Sequence, residues 1–166
     1  LETAKFLIEH GAKVNGKGNW GRTPLHLALK KGYTDLAKLL IENGADVNTN
    51  SDNNDTPLHA AIEEGHLETA KFLIEHGAKV NGKGNWGKTP LELATYKGYT
   101  DLAKLLNIVN HLDNNDSIDT LTSDIENLTA DEIKRYYNEN KKEINSFMEH
   151  RKESQLALSI VHTPHN

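Results

Sequence analysis

Thr56-Pro57-Leu58-His59 is the stretch whose reading decides the fold. The same tetrapeptide stands 33 residues earlier as Thr23-Pro24-Leu25-His26, and an altered copy stands 33 residues later as Thr89-Pro90-Leu91-Glu92. Each copy predicts a helix start. The threonine hydroxyl can accept from an orphan backbone N–H of the first turn, and proline at the first helical position loses nothing by lacking its own N–H. Leu58, Ala61 and Ile62 then follow at helical spacing, and Gly65 closes the short helix, as Gly32 and Gly98 close its counterparts. A second helix is predicted from Leu67 to His76, with Leu67, Ala70, Phe72, Leu73 and Ile74 on its inner side and Gly77 at its end. Ala78-Lys79-Val80-Asn81 and a polar loop lead to the next copy.

A period of 33 residues is the signature of a repeat architecture, in which each unit packs mainly on its neighbours. The unit of loop, Thr-Pro-Leu-His helix, glycine turn, longer helix and Gly-Ala-x-Val-Asn resembles the ankyrin repeat. The resemblance covers about residues 1–110. It implies an all-α fold, a solenoid of helix-turn-helix units with short hairpin-like loops, followed here by a helical C-terminal tail.

The array divides into a partial repeat at 1–18 and repeats at 19–51 (A), 52–84 (B) and 85–110 (C). Residues 1–21 are identical to 67–87, and the match continues to 41 against 107 with only Arg22/Lys88, His26/Glu92, Leu29/Thr95, Lys30/Tyr96 and Ile41/Asn107 differing. The unit that was copied is therefore two repeats long. Residues 1–11 read as a second helix whose first helix would lie upstream, so more repeats are expected there. Repeat B has Asn54 where A and C have Gly21 and Gly87, and asparagine is the next most tolerant residue of a positive φ. Glu92 breaks the motif and is expected to loosen repeat C. Leu105-Leu106-Asn107-Ile108-Val109-Asn110 runs on where a glycine turn belongs, which ends the array.

Residues 111–116 read as a polar linker and 117–166 as a helical tail. Ile118, Leu121, Ile125 and Leu128 suggest a short amphipathic helix, and Thr129 with Glu132 a capping box that starts another. That helix shows Ile133, Tyr136, Tyr137, Ile144, Phe147 and Met148 on one side, interrupted at Asn140-Lys141, with an extension as far as Val161 and a frayed end around Pro164. Two readings of the tail stay open: a cap over the last apolar face of the array, or a separate helical module that binds something or serves as an export signal.

Composition narrows the function. The net charge is −5. Residues 1–110 hold 13 basic and 13 acidic side chains, whereas 111–166 hold 6 and 11, so the tail supplies the whole imbalance. A neutral array with an acidic tail argues against nucleic-acid binding, which draws its affinity from phosphate neutralisation. No apolar run is long enough to insert across a bilayer. Without cysteine there is no disulfide framework or thiol nucleophile.

No catalytic residues can be named, and no cofactor is expected. Gly16-Lys17-Gly18 and Gly82-Lys83-Gly84 are too short to cradle a phosphate and read as inter-repeat turns requiring a positive φ. His26 and His59 belong to the repeat motif, where the resemblance implies a hydrogen-bonding structural role. His10 and His76 sit at helix C-termini, where the dipole favours an imidazolium. His162 and His165 lack a carboxylate partner. Since a zinc site needs about four converging ligands, no metal site is assigned.

What remains is surface. In ankyrin-repeat proteins partners are held by the loop tips and the exposed side of the first helices. Carried over by register, those positions are Asn19, Trp20, Arg22, Lys30 and Lys31 in repeat A. They are Asp52, Asn53, Asp55, Glu63 and Glu64 in repeat B, and Asn85, Trp86, Lys88, Tyr96 and Lys97 in repeat C. Repeat A thus offers cations, repeat B anions and repeat C cations again, with the chain's two tryptophans at equivalent tips of A and C. Tryptophan, tyrosine and arginine are enriched at binding hot spots. The expected partner is another protein, with a basic centre flanked by acidic patches and anchored by Trp20 and Trp86, bound by a monomeric array. Two bland readings stand beside it: the tryptophan pair follows in part from the copying, and alternating charge can serve repeat-to-repeat attraction. Asn15, Asn48 and Asn81 match the position that host asparaginyl hydroxylases modify in ankyrin proteins, which makes them candidate hydroxylation sites beside their role as turn formers.

The function expected is a protein–protein interaction scaffold. The lysine- and asparagine-rich composition and the near-identical duplication resemble ankyrin proteins of intracellular bacteria. The specific version is an effector secreted into a host cytoplasm, with a cytoplasmic protein as the plain version. The alternative is a targeting module for an enzymatic or degradation-adaptor domain outside this sequence.

Overall fold

The computed structural model describes residues 1–161, which leaves the expected frayed end and His162 and His165 outside the described residues. Helices α2 (Pro24–Lys31), α4 (Pro57–Glu63) and α6 (Pro90–Lys97) are the short first helices of repeats A, B and C. Helices α3 (Thr34–Glu42), α5 (Leu67–Glu75) and α7 (Thr100–Asp113) are the second helices, and α1 (Glu2–Glu9) is the second helix of the partial repeat. Each first helix packs on its own second helix, while α2, α4 and α6 stack side by side as an inner row.

The helix starts follow the local chemistry. Thr23, Thr56 and Thr89 accept the backbone N–H of His26, His59 and Glu92, with proline next in line. Gly65 closes α4 at φ 75°, and a Cβ there would lie 2.9 Å from the Tyr99 hydroxyl of the next repeat. Asn54 does adopt a positive φ, 64°. The glycines of the Gly-Lys-Gly loops differ from expectation, since none of them has a positive φ. Gly84 serves close approach instead: a Cβ there would meet the His59 ring at 2.6 Å.

The core runs through the repeats as Leu25, Ala28 and Leu29, then Leu58, Ala61 and Ile62, then Leu73, Ile74, Leu102, Ala103 and Leu106, all nearly inaccessible. Phe6 and Leu7 of α1 are more than half exposed. Their identical copies Phe72 and Leu73 are half-buried and buried, because α4 packs on α5 and because Lys38 and the tail residues Ile144 and Phe147 lie around the Phe72 ring.

The tail departs from its sequence reading in three places. The expected linker at 111–116 begins inside α7, which continues to Asp113 because Leu105–Val109 is an uninterrupted buried helical run with no glycine to stop it. Ile118–Thr120 is a single 3₁₀ turn and not an amphipathic helix, and the chain then runs extended over α7 with Leu121 and Ile125 buried. Asn107, 1% exposed, pins this strap: its amide donates to the Thr122 carbonyl (3.0 Å) and accepts from the Asp124 N–H (2.8 Å). Extended backbone crossing a helix has no ladder of its own, so a buried amide with a donor and an acceptor supplies what water would. The interruption at Asn140-Lys141 is a real break, separating α8 (Ala130–Glu139) from α9 (Lys141–Val161).

Helix α8 packs on α7, and α9 turns back to lie along α5. The tail therefore covers the last two outer helices of the array and leaves the inner row open. Arg151, 1% exposed, locks α9 in place. It donates to the carbonyls of Ile74 and Ala78, both at 2.7 Å, at the C-terminal end of α5. A cationic side chain is suited to that end of a helix, where carbonyls lack partners.

Candidate partner-binding face

The inner row is tied together by its histidines. His26 accepts at Nδ1 from the Thr23 N–H (3.2 Å), so its Nε2 is the donor, 3.1 Å from the carbonyl of Asp55 in the next repeat. Burial holds its pKa below the ordinary value, against the opposing pull of Asp55, so the ring is kept neutral for this role. His59 repeats the arrangement, with Nδ1 2.8 Å from the Thr56 hydroxyl and Nε2 2.9 Å from the Lys88 carbonyl. Each histidine reaches forward 29 residues to the hairpin of the following repeat. Glu92 has no such hairpin ahead of it, because the tail follows, and it is exposed. Its Thr89 cap is intact at 3.2 Å. The motif is broken where its long-range half has no use, and repeat C keeps its helix start.

The asparagines do related work on the other side. Asn15 donates to the Gly44 carbonyl (2.9 Å) and accepts from the Asp46 N–H (2.7 Å), and Asn48 does the same with Gly77 (3.3 Å) and Lys79 (2.8 Å). Asn81 is exposed, and its side chain makes no hydrogen bond to the described residues.

Two depressions lie along the inner row. The first, between repeats A and B, is lined by Arg22, His26, Lys30, Ser51, Asn53, Asp55, Ala60, Glu63 and Glu64. The second, about 640 Å³, lies between B and C and is lined by Asp55, His59, Glu63, Asn85, Trp86, Lys88, Leu93, Tyr96 and Lys97. Asp55 and Glu63 border both. Most of the residues expected from register therefore share one continuous face. Asn19, Trp20, Lys31 and Asp52 line neither depression. Trp20 and Asp52 meet at the rim, where the Trp20 carbonyl accepts the Asp52 N–H at 2.9 Å.

The electrostatics are partly satisfied from within. Lys97 pairs with Glu63 at 3.2 Å, and the Lys88 ammonium lies 3.7 Å from the centre of the Tyr96 ring. The Asp55 carboxylate accepts the Asn85 N–H at 2.8 Å. Sequence reasoning missed Leu93, which lines the second depression, and its counterpart Leu27, which is 48% exposed. The signal was present, since both occupy one register position of the first helices, but a leucine among leucines reads as core.

Trp20 and Trp86 sit at the hairpin tips with φ of 64° and 67°. They are 69% and 86% exposed. A left-handed backbone costs a residue with a Cβ about 1–2 kcal/mol, and neither indole recovers it by burial. In repeat B the equivalent residue, Asn53, is not among the positive-φ residues.

A family model of ankyrin repeats in three copies matches residues 1–51 and 47–118. The chain belongs to the ankyrin-repeat family, whose repeats are generally protein–protein interaction modules. No curated protein matches the chain. Among the described residues no helix is long and apolar enough to cross a membrane.

Proposed function

We propose that this chain is an interaction scaffold that holds a partner protein on its inner row and hairpin tips. The observation that carries this reading is Trp86, whose indole is almost wholly exposed while its backbone is held at positive φ. The hairpin's own hydrogen bonds hold this backbone, among them the Trp86 N–H to Asn85 Oδ1 at 3.1 Å, but they give the indole nothing to pack on. Unusual backbone positions collect at functional sites, and a large exposed aromatic beside a groove is what a hot spot looks like before its partner arrives. The tail supports the same face, because α8 and α9 pack on the outer helices and leave the inner row uncovered. The array acts as a monomer, and its neutral repeats and acidic tail suit a protein partner better than a nucleic acid.

The setting we favour is an effector of an intracellular bacterium, acting in the host cytoplasm; fractionation of infected cells tests it. In that setting Asn81 is the asparagine most open to a host hydroxylase, since Asn15 and Asn48 have both ends of their amides engaged. A crosslinking pull-down comparing wild type with a Trp20/Trp86 double alanine variant tests the binding reading. The partner should be lost from the variant, each substitution weakening binding by more than about 1 kcal/mol. Equal recovery of the natural partner by both proteins overturns it.

A further inference from the structure

Which charges of the inner row are left for a partner decides what that partner must carry. Among the described residues Arg22 and Lys30 have no ion-pair partner, and Glu64 has none either. In repeat C the position is different. Lys97 is neutralised by Glu63, and Lys88 is engaged by the face of Tyr96. An acidic patch set against repeat C would have to break both contacts. What repeat C exposes without an ion-pair partner is aromatic: the rings of Trp86 and Tyr96 stand at the rim of a cavity whose floor includes the buried Leu93.

Resting on the binding reading above, we propose that the partner presents a linear segment running along the inner row. In order from repeat A to repeat C it carries an acidic residue, then a basic residue, then an apolar or aromatic residue. The acidic side chain meets Arg22 and Lys30, and the arginine is suited to take a carboxylate with two parallel bonds. The basic side chain meets Glu64, with Asp55 in the same depression. The aromatic side chain enters beneath Trp86 against Leu93. This acid–base–aromatic order replaces the symmetric acid–base–acid pattern expected from the sequence, because counting charges by repeat overlooks those already paired across a repeat boundary. Complementary charge sets register and orientation along such a groove, while the buried anchor holds the complex.

The test uses a random-peptide phage library panned on the whole chain, on Glu64→Lys and on Trp86→Ala. The expected result is that peptides selected on wild type compete with one another and share the acid–base–aromatic order. The strongest of them should lose at least about tenfold in affinity on Glu64→Lys, where like charges are opposed. Selection on Glu64→Lys should replace the basic residue by an acidic one. Glu64 is exposed, so the substitution leaves the fold intact, and circular dichroism checks it. Peptides that fail on Trp86→Ala yet ignore Glu64→Lys overturn the order while leaving the binding face standing. Peptides that bind both variants undiminished overturn both. No enriched sequence overturns the linear segment, and the crosslinking experiment then judges the face by itself.

Discussion

Arg151 in α9 and Asp113 at the end of α7 are joined by three charge-assisted hydrogen bonds, Nη2 to Oδ2 at 2.7 Å and a shared Nε to Oδ1 at 3.0 Å and to Oδ2 at 3.3 Å. With its Nη1 on the carbonyls of Ile74 and Ala78, this one guanidinium ties the tail to the last two outer helices. Arg151→Met keeps the apolar stem and removes every one of these bonds. It should cost about 3–5 kcal/mol in urea unfolding, the range for breaking a buried pair and stranding its partner. Amide exchange should accelerate first in α9, while α4 and α5 stay protected.

Asn107→Ile restores the residue that the duplicated segment has at Ile41. The helix tolerates it, but the Thr122 carbonyl and Asp124 N–H lose their partner. A loss of about 1–3 kcal/mol is expected. In nuclear magnetic resonance spectra the amides of residues 121–125 should shift most.

The histidines of the inner row should be unequal in a specific way. His59→Ala removes both the cap contact and the bond to the Lys88 carbonyl, at a cost of about 1–3 kcal/mol. Glu92→His restores the repeat motif yet gains no forward hairpin, so thermal unfolding should move by less than about 0.5 kcal/mol equivalent.

Two histidines should respond to pH with opposite sign. His150 lies 2.6 Å from the Glu75 carboxylate, and that hydrogen bond, with the charge of Glu75, raises its pKa above the ordinary 6.5. Its contribution to tail docking is therefore full below pH 6.5 and is lost as pH rises through the raised value. Burial lowers the pKa of His26, so its contribution is present above 6.5 and is lost on acidification below it. Amide exchange of α9 measured between pH 5.5 and 8 should show docking weakening with rising pH, and His150→Gln should flatten that dependence. Global stability should fall on the acid side, and His26→Gln should reduce that fall.

Trp86→Asn should separate stability from binding. Asparagine tolerates the left-handed backbone, and the indole buries almost nothing, so the variant should be more stable by about 0.5–1 kcal/mol. It should bind the partner more weakly. A destabilised variant would mean that the indole packs on its own hairpin in solution.

The sequence by itself determined the repeat, its period, its helix starts and its stops. Those signals are local: Thr23, Thr56 and Thr89 cap within three residues, and Gly32, Gly65 and Gly98 turn the chain at one position, so each can be read from its neighbours in the chain. Most of the binding face was legible for the same reason, since register alone placed Arg22, Asp55, Glu63, Trp86 and Tyr96 along one row. Tertiary structure decided the rest. Ile118, Leu121 and Ile125 have helical spacing, yet the two buried ones lie on an extended strap, because Asn107 offers it backbone hydrogen bonds that a short isolated helix could not better. Arg151 reads as one more surface charge until α9 folds back 77 residues onto Ile74. Lys97 and Lys88 read as free cations until Glu63 and Tyr96 are placed beside them. Burial and charge pairing are properties of chain segments that meet from far apart, and they follow no period that a sequence displays.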